Sequence, residues 1–347
     1  MAEKTNLDGR CLRIVFGTYA ICMSLTYLIS QFVGAPFSLW FNDGHFVVVA
    51  AFFFLVFFGV IWDGALILLG VICENLQRRQ MFSGIGRITV ETVRKFRFFT
   101  CGLTPLVLIV LTAFALLGTS NITLISLKLL GPVTSWRDPY LWEIEKDVLL
   151  WLTRLPINVT AWDTLYHGCW PIEFFAAFVL VLLGRGARLV LYYCVSMIVL
   201  FYIGRLLGVV NPVMGPAFFK PELFGYLDHS ITRQAMQLVS SVMAQPPEQA
   251  IEHGGVLLGG VSAMPSLHVA MVAVTSYWLA AAKRWTLVVT VPWVLLVWSA
   301  TVVLGWHYIL DGAGGIALGS VSVVATNALL RRLLRDTTDV ARDSQAA

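Results

Sequence analysis

The residues with chemical potential sit in two short stretches. Residues 260–271 read GVSAMPSLHVAM, placing Ser266 and His268 two apart, directly after Pro265 and at the mouth of an apolar run. Further on, GWHYILDG at 305–312 carries His307 and Asp311 four apart. A helix starting at Pro265, where the missing N–H costs nothing, would leave the amides of Ser266 and its neighbours free to hold an anion. The Ser266 hydroxyl would add a donor. His268 would be close enough to protonate an oxygen leaving that anion, a general-acid role worth about 10²–10⁴ in rate. If a helix also runs through 307–311, His307 and Asp311 share a face. The carboxylate then holds one imidazole nitrogen and leaves the other free to attack. One histidine as nucleophile and one as acid, around an anion pocket, make a kit for phosphoryl transfer through a phosphohistidine.

Each piece also has a plainer reading. PSLH alone is a helix start. His307–Tyr308 alone is an interfacial polar pair, Asp311–Gly312 a turn, and Arg205 a cation that snorkels to headgroups. The elements that carry these residues decide between the two accounts. Of 347 residues, 58% are hydrophobic and 13% charged, whereas a soluble domain carries about a quarter charged residues. Apolar runs long enough to cross a bilayer fall near 13–33, 46–73, 100–119, 165–184, 187–207, 266–282, 286–306 and 312–331. The expectation is an all-α, polytopic membrane bundle of about eight helices, with no cleavable leader.

A cytoplasmic N-terminus puts seventeen of the 24 lysines and arginines on the inner side, including six between Arg78 and Arg97. The C-terminus is then cytoplasmic too, and the net charge of +4 requires no nucleic acid, because basic inner loops facing anionic lipid account for it. From His268 the chain crosses inward to Lys283 and Arg284 and returns at His307. Both histidines therefore come to the outer surface, level with Arg205 near the outer end of its span. Two of the six histidines, a serine, an aspartate and an arginine at one depth favour a site over five separate accidents.

Residues 1–120 hold three spans and a basic cytoplasmic loop; 121–335 hold the other five spans and nearly every polar side chain of interest; 336–347 form a frayed polar tail. Between the first two parts, YLWEIEKDVLLWLTRLP within 134–165 has apolar residues at helical spacing, with its charges mostly elsewhere on the wheel. It reads as an interfacial helix or as a short helix packed on the core. The outer segment 208–264 is long for a loop, and its Pro, Gly and aromatic content suits a structured cap. The six cysteines are scattered, with no CxxC pair, and suggest neither disulfides nor metal.

PSLH followed after two crossings by GWHYILDGAGG resembles the type 2 phosphatidic acid phosphatase superfamily. Pro265, Ser266 and His268 match its second motif, with Leu267 at the usual glycine position; His307 and Asp311 match the third. The third-motif Ser-Arg is replaced by Ala300-Thr301, and the first motif is altered, with Arg205 standing ahead of Asn211-Pro212. Those departures resemble the inositol phosphorylceramide synthase and sphingomyelin synthase branch, as do RDPYLWEIEKDVLLW, DTLYH at 163–167 and NPVMGP. The resemblance covers about residues 134–335. It implies a six-helix catalytic core with His307 as nucleophile, Asp311 as its orienter, His268 as acid/base, and Ser266 and Arg205 as phosphate ligands.

The reading is a membrane lipid phosphotransferase with its site on the extracytoplasmic face, passing a phosphoryl-bearing group from a lipid headgroup to a hydroxyl acceptor. The alternative is a lipid phosphatase acting on phosphatidate-like or polyprenyl phosphates. A proton-coupled transporter ranks well below, because it would want charges at the midplane and an inverted repeat. Expected partners are a lipid substrate, a lipid or water acceptor and the bilayer, with no cofactor and no metal.

Overall fold

A computed structural model describes residues 2–77, 104–130, 136–183, 187–251 and 262–335. The basic loop at 78–97, residues 252–261 of the long outer segment and the tail after Arg335 lie outside the described residues. The secondary structure is helical, with no strand among the described residues. A bilayer imposes this: each spanning segment must satisfy its own N–H and C=O groups, which a helix does internally.

Twelve helices frame the described residues: α1 (Ala2–Val33), α2 (Asn42–Gln77), α3 (Thr104–Gly118), α4 (Ser120–Leu129), α5 (Asp138–Leu152), α6 (Val159–His167), α7 (Cys169–Leu183), α8 (Ala187–Val210), α9 (Ile231–Met243), α10 (Leu267–Ala282), α11 (Leu287–Val303) and α12 (Ile309–Arg335). Short helical turns lie in the α8–α9 connection and, at Pro247–Ala250, after α9. Among the described residues five segments are long and apolar enough to cross a bilayer: Leu7–Val33, Thr104–Leu129, Ala187–Val210, Arg284–Val303 and Ile309–Leu334. The α6–α7 pair, bent by 41° at Gly168, makes a sixth if its two helices act as one span. The expected span at 46–73 lies within α2, and that at 266–282 is the shorter apolar helix α10.

Helix α8 is the hub and packs against α1, α3, α10 and α12; α10 also packs against α7 and α11. In lipid, helices gain from close backbone approach, which small residues permit. The α10–α12 contact shows this at Gly315, where a Cβ would lie 2.4 Å from the Ser266 carbonyl oxygen. Only glycine lets the starts of these two helices meet, and those starts carry the residues of interest.

The segment expected to be an interfacial helix is α5. Its inward side buries Leu141, Trp142 and Leu149 in a cluster with Val213, Val302 and Tyr308. Its other side leaves Tyr140, Ile144, Val148 and Trp151 exposed, an apolar face suited to lipid. The two alternatives for this segment are therefore compatible: the helix packs on the core and keeps an apolar outer face. Glu145, expected among the outward charges, turns inward and is buried.

Candidate active site

Three sequence-marked side chains converge at one end of the bundle. The rings of His268 and His307 face each other with centroids 6.1 Å apart, inclined by 66°. His307 Nδ1 lies 3.5 Å from Asp311 Oδ2. That separation is an ion-pair distance, longer than a hydrogen bond, and catalytic pairs commonly tighten only around substrate. His307 Nδ1 and Asp311 Oδ1 are both buried without a hydrogen-bond partner. Buried polar atoms left unmatched call for an explanation.

The local folding differs from the sequence expectation in three respects. First, Pro265 is not the first helical residue. It follows a cis Met264–Pro265 peptide, and Ser266 caps α10, its hydroxyl accepting from Val269 N–H at 3.5 Å. Second, the Ser266 amide is not available to an anion, because it donates to the Asp311 carbonyl at 2.9 Å. The α10 amides left for an external acceptor are those of Leu267 and His268. Third, His307 precedes α12 rather than lying on it. It meets Asp311 because the acid turns back over the helix start, where its Oδ2 accepts from Tyr308 N–H at 2.8 Å. That is the reciprocal half of a capping box, with an acid at the third helical residue holding the cap's own amide.

Arg205 and Ser266 stand behind the site rather than on its wall. Ser266 is fully buried and Arg205 nearly so, with Arg205 Nη1 donating to Thr123 Oγ1 at 2.6 Å. Arg205 does not snorkel; it lies close enough for its charge to act on His268, as does His167.

Several residues that sequence reasoning did not assign complete the geometry. Tyr166 packs on the His268 ring at 4.8 Å between centroids, and Trp170 meets it edge-on at 5.8 Å. Trp306 stacks on Tyr166 at 5.7 Å. His167 adds a third imidazole to the same cavity. DTLYH signals part of this set, but nothing in its spacing says that the chain bend at Gly168 delivers it to His268.

Helix α5 supplies two clamps. Asp138 accepts from the amides of Met214 and Gly215 at 2.9 and 2.8 Å, fixing the NPVMGP loop. Glu145 accepts from the amides of Ile309 and Leu310 at 2.6 and 2.8 Å, the first turn of α12. Acid at a helix start is favourable because it meets unpaired amides and the positive end of the dipole. Burial raises both carboxyls above their ordinary values, even though the backbone N–H donors pull the other way. The loop is also tied to the turn before His307: Ala217 N–H donates to the Gly305 carbonyl, and Gly215 adopts φ +111. A Cβ on Gly215 would fall 2.2 Å from the Trp306 carbonyl oxygen, so the close approach needs glycine.

The histidines open onto a cavity of about 510 Å³ with largely apolar walls. Helix α9 covers part of it with Ala235, Leu238 and Val239. Asp163 holds that helix's start, accepting from the amides of Ile231 and Thr232 at 2.9 and 3.2 Å. The segment expected as a structured cap is thus ordered over its described part. Among the described residues no group of three or more His, Cys, Asp or Glu is placed to hold a metal ion.

The spans, the paired histidines and the apolar cavity beside them define a multi-pass α-helical membrane protein with a polar site at one end of its bundle. Residues 140–325 match the PAP2 superfamily, and the chain belongs to it. The fold and general chemistry expected from the motifs are those of this family, whose members are phosphatases or phosphotransferases, so the protein is an enzyme of that general lipid-directed type. No curated protein and no solved structure matches the chain.

Proposed function

We propose that the protein is a lipid phosphotransferase of the inositol phosphorylceramide and sphingomyelin synthase kind, working at the extracytoplasmic face through a phosphohistidine. The observation that carries this is the pair of imidazoles 6.1 Å apart, one backed by Asp311, at the head of a cavity with apolar walls. His307 Nδ1 faces the carboxylate, which leaves Nε2 for attack on phosphorus. As the Nε2–P bond forms, the P–O bond to the donor lipid breaks, and His268 gives its proton to the departing oxygen. An acceptor hydroxyl then loses its proton to His268, its oxygen bonds to phosphorus, and the N–P bond breaks. The charge of Arg205 and the amides at the start of α10 support the phosphate, with Ser266 holding that turn in place. The buried setting of His307 and the aromatic packing of Tyr166, Trp170 and Trp306 around His268 disfavour water, and so support transfer over hydrolysis.

Purified protein incubated with labelled phospholipids, with and without ceramide or diacylglycerol, tests this. A new labelled lipid that appears only with acceptor is the expected product. Free phosphate or a free phosphorylated headgroup with no new lipid would point instead to hydrolysis. His307→Ala is expected to abolish both products and the acid-labile label on the protein; full activity in that variant would overturn the mechanism.

A further inference from the structure

The cavity below the histidines is larger and more apolar than a phosphate group requires, and part of its wall comes from outside residues 140–325. Gly44, Val47 and Val48 of α2 and Ile109, Ala113 and Leu117 of α3 line it, facing the helices that carry the site. We propose that this cavity holds a hydrocarbon chain of the lipid whose phosphate lies between His268 and His307, and that α2 and α3 serve as its wall. The proposal rests on the lipid phosphotransfer reading and names where that lipid's chain goes.

Four observations carry it. The cavity is continuous with both histidines, so a headgroup at the imidazoles must put its chain there or out in the bilayer. Its volume of about 510 Å³ lies within the usual range for small-molecule sites, about 300–1,000 Å³. The lining of α3 from Leu117 to Ile109 runs about 12 Å along the helix, a large part of one leaflet's hydrocarbon depth. Two polar groups on the deeper wall are already matched: the Glu173 carboxylate accepts from the Thr275 hydroxyl, and Thr112 donates to the Leu108 carbonyl at 2.8 Å. Hydrocarbon laid against them strands no donor. The wall itself is firmly built, since Val48, Ala113 and Leu117 form one buried cluster with Phe114 and Phe174. A Cβ on Gly44 would sit 2.7 Å from Leu117 Cδ2, so α2 approaches α3 as closely as glycine allows. This gives α2 and α3 a purpose that family membership over 140–325 does not supply.

A phosphatidate analogue with a diazirine midway along one long chain, photolysed with the full-length protein in lipid nanodiscs, tests the placement without needing turnover. The expected adducts map to the α2 and α3 peptides around Val48 and Ala113, and Val48→Trp reduces them about tenfold or more. Adducts confined to outward-facing side chains such as Phe53 and Val107 would overturn the pocket. A kinetic arm separates filling from misfolding: Val48→Trp and the milder Ala113→Leu are expected to lower kcat/KM for a long-chain phospholipid donor, read as acceptor-dependent labelled lipid, about tenfold while leaving the dihexanoyl form of the same donor within about threefold. Equal losses on both substrates, or none on either, would overturn the pocket as well. The two readings fail separately. Wall adducts in a protein that transfers no phosphoryl group would sink the phosphotransfer proposal and keep the chain pocket; turnover without wall adducts would do the reverse.

Discussion

At the scale of single residues, the Asp311 carboxylate meets two groups at once. Its Oδ2 accepts the Tyr308 amide at 2.8 Å and faces His307 Nδ1 at 3.5 Å. Asp311→Asn keeps an oxygen able to accept the Tyr308 amide, so the start of α12 should survive. It replaces the charge that would stabilise an imidazolium and offers an amide that can present a donor to Nδ1, favouring the wrong tautomer. The expected result is a fall in kcat of about 10²–10⁴ with KM and thermal stability nearly unchanged. Steady-state kinetics beside a melting curve checks it, and a variant that melts early with kcat preserved per folded molecule would show Asp311 to be only a cap. The types and spacing of this pair were readable from GWHYILDG. The contact was not, because a four-residue separation places two side chains together only if the intervening turn has the right shape, and here His307 lies off the helix.

Among the elements, α5 does more than lie beside the core. Through Asp138 and Glu145 it holds the loop at 214–215 and the first turn of α12, the two pieces that flank Trp306 and His307. Glu145→Ala removes a buried acceptor from two amides and should cost about 1–3 kcal/mol together with activity; Glu145→Gln keeps one oxygen and should cost less. Burial raises the Glu145 carboxyl above its ordinary 4.5. The folded protein therefore holds that proton more tightly than the unfolded chain, and the favourable contribution present below about pH 4.5 is lost as pH rises through the folded value. The melting temperature of wild type relative to Glu145→Gln should accordingly decline from pH 4.5 upward and then level off. A difference that stays flat or rises across that window would contradict the assignment. The helical period of the sequence revealed this element. That Glu145 faces inward was hidden, because an acidic residue on a mixed wheel is normally placed toward water, and only the unpaired amides of α12 make the buried position favourable.

For the whole molecule, the proposed orientation follows from seventeen cationic side chains gathered on one side by the span assignment. In intact cells, a cysteine replacing Asp228, in the connection before α9, should react with a membrane-impermeant maleimide. One replacing Lys283, at the other end of α10, should react only after permeabilisation. Labelling with the opposite pattern would invert the topology and move the site to the cytoplasmic face. Among the native cysteines Cys73 is exposed and is replaced by serine in both variants, whereas Cys11, Cys169 and Cys194 are buried.

The sequence by itself determined the class: a chain with 58% hydrophobic residues and repeated apolar runs has no stable aqueous fold, and the bilayer then admits little but helices. It also marked Ser266, His268, His307 and Asp311 as a set, because two crossings of about twenty residues each return the second stretch to the face and depth of the first. Tertiary structure alone decided what each one touches. Ser266 became a cap with its amide spent on Asp311, Arg205 stood behind the wall, and Tyr166, Trp170 and Trp306 arrived around His268 from distant segments. Periodicity sets which face a residue occupies along its own helix; bends such as that at Gly168 and close contacts such as that at Gly315 set which faces meet, and those depend on the packing of the whole bundle.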